Sequence, residues 1–488
     1  MKNQFNRSLQ KTLVICFIAL STSTLSFAQD KAKKIDQLMS LYNQYGQFNG
    51  SVLIAEHGKV LFKKGYGQAN MEWNIPNEPD TKFRLGSISK QFTAFLIVKL
   101  AQDGKIKLDA PITTYLPDYP KATGDKVTIH HLLTHTSGIP NYTSVPRFLQ
   151  EKSREPYTPQ EFIKTFENLP LEFTPGERFR YSNSGYFLLG YIIEKITGKT
   201  YEQYLQETIL TPLKMANTGY DHNETILKKR AAGYEKRGTK LINSPYLDMS
   251  IPYAAGSLYS TVEDLYLWDQ SLYTNKLLSA ASMELLYKPY INAGGESYGY
   301  GWFIDEASNG DKAKLKVIEH GGGINGFNTV ISRVPADKNL VVLLNNTGGT
   351  VLGEMNTAIR AILYNLPYEQ PKKSMATELL EVFNTKGLTA GVDTYKKLKT
   401  DPTYRIKEGD MNDLAYQLLQ SGKTKEAIEM FKINVEAFPK VGNVYDSLGE
   451  AYLKDGNTKL AIENYTKSVE LDPTNENGKK VLEEILKK

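Results

Sequence analysis

One period constrains the end of this chain more tightly than any other feature. Gly422 and Gly456, Ala427 and Ala461, Phe431 and Tyr465, and Pro439 and Pro473 each recur at a spacing of 34 residues. A common period at four positions marks stacked helix–turn–helix units, each packing only on its neighbours. Two copies bury too little surface to stand alone. The closing segment Gly478–Leu486 and an irregular helical stretch, Met375–Leu398, are therefore expected to cap the stack. With 488 residues the chain also exceeds what one core serves, so two or three domains are expected.

The start of the chain differs in kind. Lys2, Arg7 and Lys11 precede an apolar run from Leu13 to Leu20, and Ser26-Phe27-Ala28 sets a small residue before Gln29. That is the pattern of a secretory signal peptide over residues 1–28, too short to span a bilayer. No later segment is long and apolar enough to span one. The expected destination is the periplasm of a bacterium or the extracellular space. Cys16 is the only cysteine, and Ile15 before it and Phe17-Ile18-Ala19-Leu20 after it do not suit lipidation. The mature chain then has no disulfide, thiol nucleophile or zinc–thiolate site. Removing the three basic residues takes the formal net charge from +5 to +2, a balance that does not point to nucleic acid.

Between these ends, the segments Gly50–Ala55 and Lys59–Phe62 flank His57-Gly58 as a β-hairpin would. Ser87 to Gly104 carries Phe92, Phe95, Leu96, Ile97, Val98 and Leu100, which predicts a largely buried helix. From about Ala110 to Leu278 the pattern is helices and loops. Strand signals return at Lys314–His320, Asn328–Pro335 and Asn339–Asn345, with a turn at Pro335-Ala336-Asp337-Lys338. Strands at both ends with helices between imply one sheet built from both ends plus a helical insert, an α+β arrangement.

Three short stretches carry the chemistry: Ser87-Ile88-Ser89-Lys90, Tyr181-Ser182-Asn183 and His320-Gly321-Gly322. Each pattern is common, and Ser8-Leu9-Gln10-Lys11, Tyr273-Thr274-Asn275 and Tyr290-Ile291-Asn292 fit the first two equally. Ser87 opens the predicted helix, whose N-terminus favours an oxyanion, and the i, i+3 spacing puts Lys90 on the same face. Burial would lower the lysine pKa toward the neutral form that a base needs. In isolation, the same residues read as a helix cap and a solvated lysine.

Phe83-Arg84-Leu85-Gly86-Ser87-Ile88-Ser89-Lys90 resembles the nucleophile motif of the serine β-lactamase and penicillin-binding-protein superfamily, nearest its class C and esterase-like branch. Thr128-Ile129-His130-His131-Leu132-Leu133-Thr134-His135-Thr136-Ser137-Gly138 and Ala254-Ala255-Gly256-Ser257-Leu258-Tyr259-Ser260-Thr261 resemble segments of that branch. The similarity covers about Lys34 to Leu366. Leu448-Gly449 and Tyr452 stand where a tetratricopeptide repeat packs its helices, and the tail from about Asp410 resembles the extension some bacterial members carry.

The resemblance implies an antiparallel β-lactamase/transpeptidase-like sheet with a helical subdomain, followed by an all-α repeat domain. Expected boundaries are 1–28 for the signal, 29–366 for the hydrolase domain, 367–409 for a helical linker or degenerate repeat and 410–488 for the repeats. It implies Ser87 as nucleophile, with Lys90 and Tyr181 moving protons, Tyr181 as phenolate or through Lys90. Asn183, His320 and Gly322 are expected to bind substrate, and the N–H groups of Ser87 and Gly323 to form the oxyanion hole. Penicillin-recognising members usually carry Lys-Thr-Gly where this chain has His320-Gly321-Gly322; a partly neutral histidine is a weaker carboxylate binder.

Other readings have less support. His130, His131 and His135 cluster without an HExxH pattern or a carboxylate at ligand spacing, which favours loop hydrogen bonding over zinc. Tyr298-Gly299-Tyr300-Gly301-Trp302 serves either core packing or the cleft wall. The expectation is an exported serine hydrolase of esterase or D-amino-acid peptidase type, with no metal or cofactor and a small ester or peptide substrate. A protein partner could bind the repeats. Peptidoglycan- or β-lactam-directed chemistry and a scaffold with an idle site are the alternatives.

Overall fold

The computed structural model describes residues 29–237, 240–308, 310 and 314–487. The expected signal segment and Cys16 lie outside these. Two compact units emerge: Met1–Glu235 with Asn243–Glu369, and Gln370–Lys488 with Lys236–Ile242.

The first unit is built on an eight-stranded antiparallel sheet. Its strands are β1 (Gly50–Glu56), β2 (Lys59–Tyr66), β3 (Ile291–Asn292), β4 (Ser297–Tyr298), β5 (Phe303–Ser308), β6 (Lys314–Ile324), β7 (Phe327–Val334) and β8 (Asn339–Asn345). They are ordered β3-β4-β5-β6-β7-β8-β1-β2. The N-terminal hairpin thus completes a sheet whose other strands come from the far end, as the sequence predicts. Pairing of β1 with β8 closes the gap, with Val52 opposite Leu343 and Ile54 opposite Val341.

Alternation along β1 and β8 explains the layers, because successive side chains leave a strand on opposite faces. Val52, Ile54, Val341 and Leu343 pack against Ile35, Leu38 and Met39 of helix α1 (residues 29–44) and Met355 and Ile359 of a later helix. Leu53, Ala55, Leu340, Val342 and Leu344 face the main core. Both strands are buried on both faces, hence their unbroken apolar sequences. Helix α2 (Ser89–Gln102) crosses that main core with Phe92, Phe95, Leu96, Ile97 and Val98 all buried. Burial of each such side chain contributes about 1.5–3 kcal/mol, so α2 is a rigid base for whatever its first turn carries. Helix α3 (Asn183–Thr197) packs beside it in the same core, contributing Tyr186, Phe187, Leu188 and Leu189.

In the second unit the helices α4 (Met375–Leu398), α5 (Glu408–Gln420), α6 (Thr424–Ala437), α7 (Gly442–Lys454), α8 (Thr458–Leu471) and α9 (Glu476–Leu486) follow one another. The 34-residue period falls on equivalent structural positions. Gly422 and Gly456 end α5 and α7 with φ of 83° and 82°, a left-handed conformation that costs glycine least. Ala427 and Ala461 sit fully buried at the helix crossings, and Phe431 and Tyr465 fill the same core. A β-carbon on Gly449 would lie 3.0 Å from the Tyr465 ring, so glycine sets how closely α7 and α8 approach. Met375, Leu379, Leu380 and Phe383 of α4 join that core, and Val481 and Leu482 of α9 pack against it.

Candidate active site

Gly86 has a φ of +56° and leads into a single 3-10 turn, Gly86–Ile88, that runs directly into α2. Ser87 therefore sits just ahead of α2, not within its first turn. The three-residue period of a 3-10 turn still aligns positions i and i+3. Lys90 Nζ lies 3.1 Å from Ser87 Oγ, 2.8 Å from Asn183 Oδ1 and 2.8 Å from the Ala255 carbonyl oxygen. Lys90 is fully buried, and that desolvation holds its pKa well below the usual lysine range. Two of its three neighbours are carbonyl oxygens, which only accept. A neutral amine gives them its two hydrogens and has one lone pair left, which faces the Ser87 hydroxyl.

The segments flagged for their resemblance turn out to be supports. Ser182 N–H donates to His135 Nδ1 at 3.1 Å, Ser182 Oγ–H to the Ile139 carbonyl at 3.1 Å, and Asn183 N–H to Asn141 Oδ1 at 3.2 Å. The loop after residue 133 is thus a cradle for the Tyr181–Asn183 stretch. The Ala254–Thr261 stretch supplies the Ala255 carbonyl to Lys90, and its Leu258 N–H donates to Ser89 Oγ at 3.1 Å. The three candidate histidines have separate duties. His130 Nδ1 meets Tyr300 Oη at 2.8 Å, His131 closes a capping box with Thr128, and His135 takes the bond above.

Tyr181 lies within this assembly by its ring, whose centroid is 4.8 Å from Lys90 Nζ. Its hydroxyl is buried, and among the described residues no group meets it at full hydrogen-bond geometry. Burial raises its pKa, and the nearby Ser87 hydroxyl is the one influence that lowers it. The phenolate route is therefore disfavoured, and the neutral phenol is the form this environment holds.

The third stretch lies on β6. Pairing of β5 with β6 begins at Phe303 and Glu319, so residues 320–324 of β6 are paired only to β7 and leave one edge open. His320 and Gly322 face inward, whereas Gly321 and Gly323 are exposed. This revises the expectation that His320 and Gly322 offer groups to a substrate. A β-carbon at Gly322 would fall 1.9 Å from the Leu85 carbonyl oxygen, so the glycine is required for β6 to pack on the turn that carries Ser87. The His320 ring is 2 % exposed, with Nε2 3.1 Å from Tyr298 Oη and Nδ1 2.6 Å from the Gly321 carbonyl oxygen. Burial, with Lys90 nearby, lowers its pKa to about 3, so it is neutral, not partly so.

Ser87, Asn183 and Gly323 share a cavity of about 140 Å³ walled by Tyr142, Leu247, Ile251, Pro252 and Ile324. No charged side chain lines it among the described residues. A larger cavity of about 760 Å³ lies beside Tyr273, Tyr287 and Arg333, away from this chemistry. Sequence reasoning missed the Ala255 carbonyl and the cavity walls. A carbonyl role carries no side-chain signal, and Leu247 and Ile251 look like any core residues.

Residues 32–364 match the family model described as Beta-lactamase, and residues 442–475 match that of the Tetratricopeptide repeat. Penicillin-binding protein 4* of Bacillus subtilis (strain 168) is 31% identical over 366 residues, 71% of this chain and 79% of its own. The crystal structure of a penicillin-binding protein from Bacillus halodurans aligns with a TM-score of 0.60 at 29% identity, over 67% of this chain and 99% of that one. That of a D-stereospecific amidohydrolase from Streptomyces sp. aligns with a TM-score of 0.56 at 26% identity, over 66% and 97%. Among the described residues no helix is long and apolar enough to cross a membrane. With the family model spanning most of its length, the chain belongs to the β-lactamase family of penicillin-binding-protein-like serine hydrolases and carries a tetratricopeptide repeat near its C-terminus.

Proposed function

We propose that this protein is an exported serine hydrolase that cleaves an ester or amide bond through an acyl-enzyme on Ser87. The observation that carries the reading is the coordination of Lys90: buried, with two carbonyl acceptors, and with Ser87 Oγ at the remaining position. In acylation Lys90 takes the Ser87 proton as Oγ bonds to the substrate carbonyl carbon. The resulting ammonium then has three acceptors for its three hydrogens. The N–H groups of Ser87 and Gly323 hold the oxyanion. As the bond to the leaving group breaks, Tyr181 gives its proton to the departing oxygen or nitrogen and regains one from Lys90. A water then attacks the acyl carbon, its proton returning through the same pair, and Ser87 leaves as the hydroxyl.

The substrate we favour is a small uncharged ester or a D-amino-acid amide or peptide. The apolar cavity supports the first and the amidohydrolase likeness the second. The penicillin-binding names of several relatives favour peptidoglycan or β-lactam chemistry as a second reading. Against it, neutral, buried His320 gives the cleft no cation for a substrate carboxylate. An idle scaffold fits poorly, because a buried neutral lysine is costly to keep without a task. We assign residues 1–28 to an export signal, 29–366 to the hydrolase and 410–488, with the helical 367–409, to a repeat domain that binds a protein partner.

The test is a fluorophosphonate probe on the mature protein, read by intact mass and peptide mapping, with Ser87→Ala alongside. One adduct on Ser87, absent from the variant, is expected. No adduct under conditions that label a related hydrolase would overturn the reading.

A further inference from the structure

Behind the nucleophile, a chain of hydrogen bonds crosses the floor of the cleft. Ser182 N–H donates to His135 Nδ1, and His135 Nε2 lies 3.2 Å from Tyr298 Oη. Tyr298 Oη lies 3.1 Å from His320 Nε2, and His320 Nδ1 lies 2.6 Å from the Gly321 carbonyl oxygen. The ends fix the direction of every link, because an amide N–H only donates and a carbonyl only accepts. His135 must carry its hydrogen on Nε2, Tyr298 must donate onward, and His320 must carry its hydrogen on Nδ1. Each ring nitrogen is used once, and none is left to bind a ligand.

His135, Tyr298 and His320 are all essentially buried. His135 also holds a φ of 58°, a left-handed conformation that residues with a β-carbon seldom adopt. Its ring lies 4.2 Å, centroid to centroid, from that of Tyr181, and its carbonyl accepts from Arg180 N–H at 2.8 Å. The chain therefore starts between Tyr181 and Asn183 and ends two residues before Gly323. Those are the two sides of the cleft, and Tyr298 of β4 stands between them.

We propose that Tyr298, with His135, is a positioning residue: its hydroxyl clamps the Tyr181–Asn183 segment to the open edge of β6 and fixes both histidine tautomers. The proposal rests on the acyl-enzyme reading, in which Lys90 and Asn183 must keep their distance from the Gly323 N–H. Groups facing the two rings are Lys90 from α2, Tyr181 and Tyr186 from the α3 region, and Phe179 and Phe303. None of these side chains is a carboxylate, so none offers a charged imidazole a counter-charge.

The variant is Tyr298→Phe, which keeps the ring against Phe179 and Phe303 and removes one oxygen. On a chromogenic acyl ester, kcat should fall by about 10- to 100-fold, the scale of a small misplacement, while KM changes less than about twofold. His320 loses the donor that occupies Nε2, so the acid limb of the pH–kcat profile should move toward higher pH. Wild-type kcat and an unmoved pH profile in a folded variant would overturn the clamp, whatever the loss of melting temperature. A second measurement needs no variant. Ring ¹⁵N spectra of the wild type should show His135 as the Nε2–H tautomer and His320 as the Nδ1–H tautomer, both staying neutral at pH 6. Protonation of His320 near its ordinary pKa, or the opposite tautomer, would overturn it too. Failure of the parent reading is separable, since it appears as absent fluorophosphonate labelling of wild-type Ser87.

Discussion

The repeat core of the second unit and the floor of the cleft in the first both exclude water, yet they hold opposite chemistry. In the repeats the buried side chains are mainly Leu, Ile, Met, Ala and aromatic residues, and positions 34 apart do the same work. Beneath Ser87 the buried groups are Lys90, His135 and His320, each in a different hydrogen-bond arrangement. Apolar burial is non-directional, so any well-shaped hydrophobe serves. A buried amine or imidazole is tolerable only when specific partners meet each hydrogen and lone pair. The difference shows where each region can be damaged: the repeats by volume, the cleft floor by single atoms.

The largest expected effect is therefore chemical. Lys90→Met should keep the volume but lower kcat/KM by on the order of 10⁴-fold, measured on an activated ester. Next comes a polar pair away from the site, Arg333 Nε with Asp269 Oδ1 at 2.8 Å, both buried. Asp269→Ala strands the guanidinium and should destabilise the first unit by about 3–5 kcal/mol in denaturant melts, without altering the pH–rate profile.

A pH titration sharpens the same contrast. The folded pKa values of His135 and His320 lie below 6.5, that of His320 at about 3. The unfolded chain binds these protons first. Their contribution to stability is thus complete above about pH 6.5 and is lost as the pH falls toward 3. Lys90 has the same sign over a higher range, stability rising with pH up to the ordinary lysine value of 10.5. Hydrogen exchange at pH 7 and pH 5 should show protection lost around residues 135, 182 and 320, and no matching loss in the repeats. The smallest expected effect is steric: Gly449→Val pushes into Tyr465 and should destabilise the repeat unit by about 1–3 kcal/mol. Exchange protection should fall in α7 and α8 while Ser87 labelling is retained.

Much was legible in the residues themselves. The period of 34 determined the stacked helices because each unit needs only its neighbours. Alternation and apolar runs marked β1, β6, β7, β8 and α2, and the spacing of Ser87 and Lys90 put them on one face. Tertiary structure decided the rest. Gly322 looked like a substrate contact, but strand alternation turns it against the Leu85 carbonyl. His320 looked like a partial cation until burial and Tyr298 made it neutral. The Ala255 carbonyl, which leaves Lys90 one lone pair for Ser87, is a backbone atom and carries no side-chain signature. Patterns of one element can be read along the chain. The protonation state of a buried group depends on atoms brought from remote segments, and only the folded packing specifies which those are.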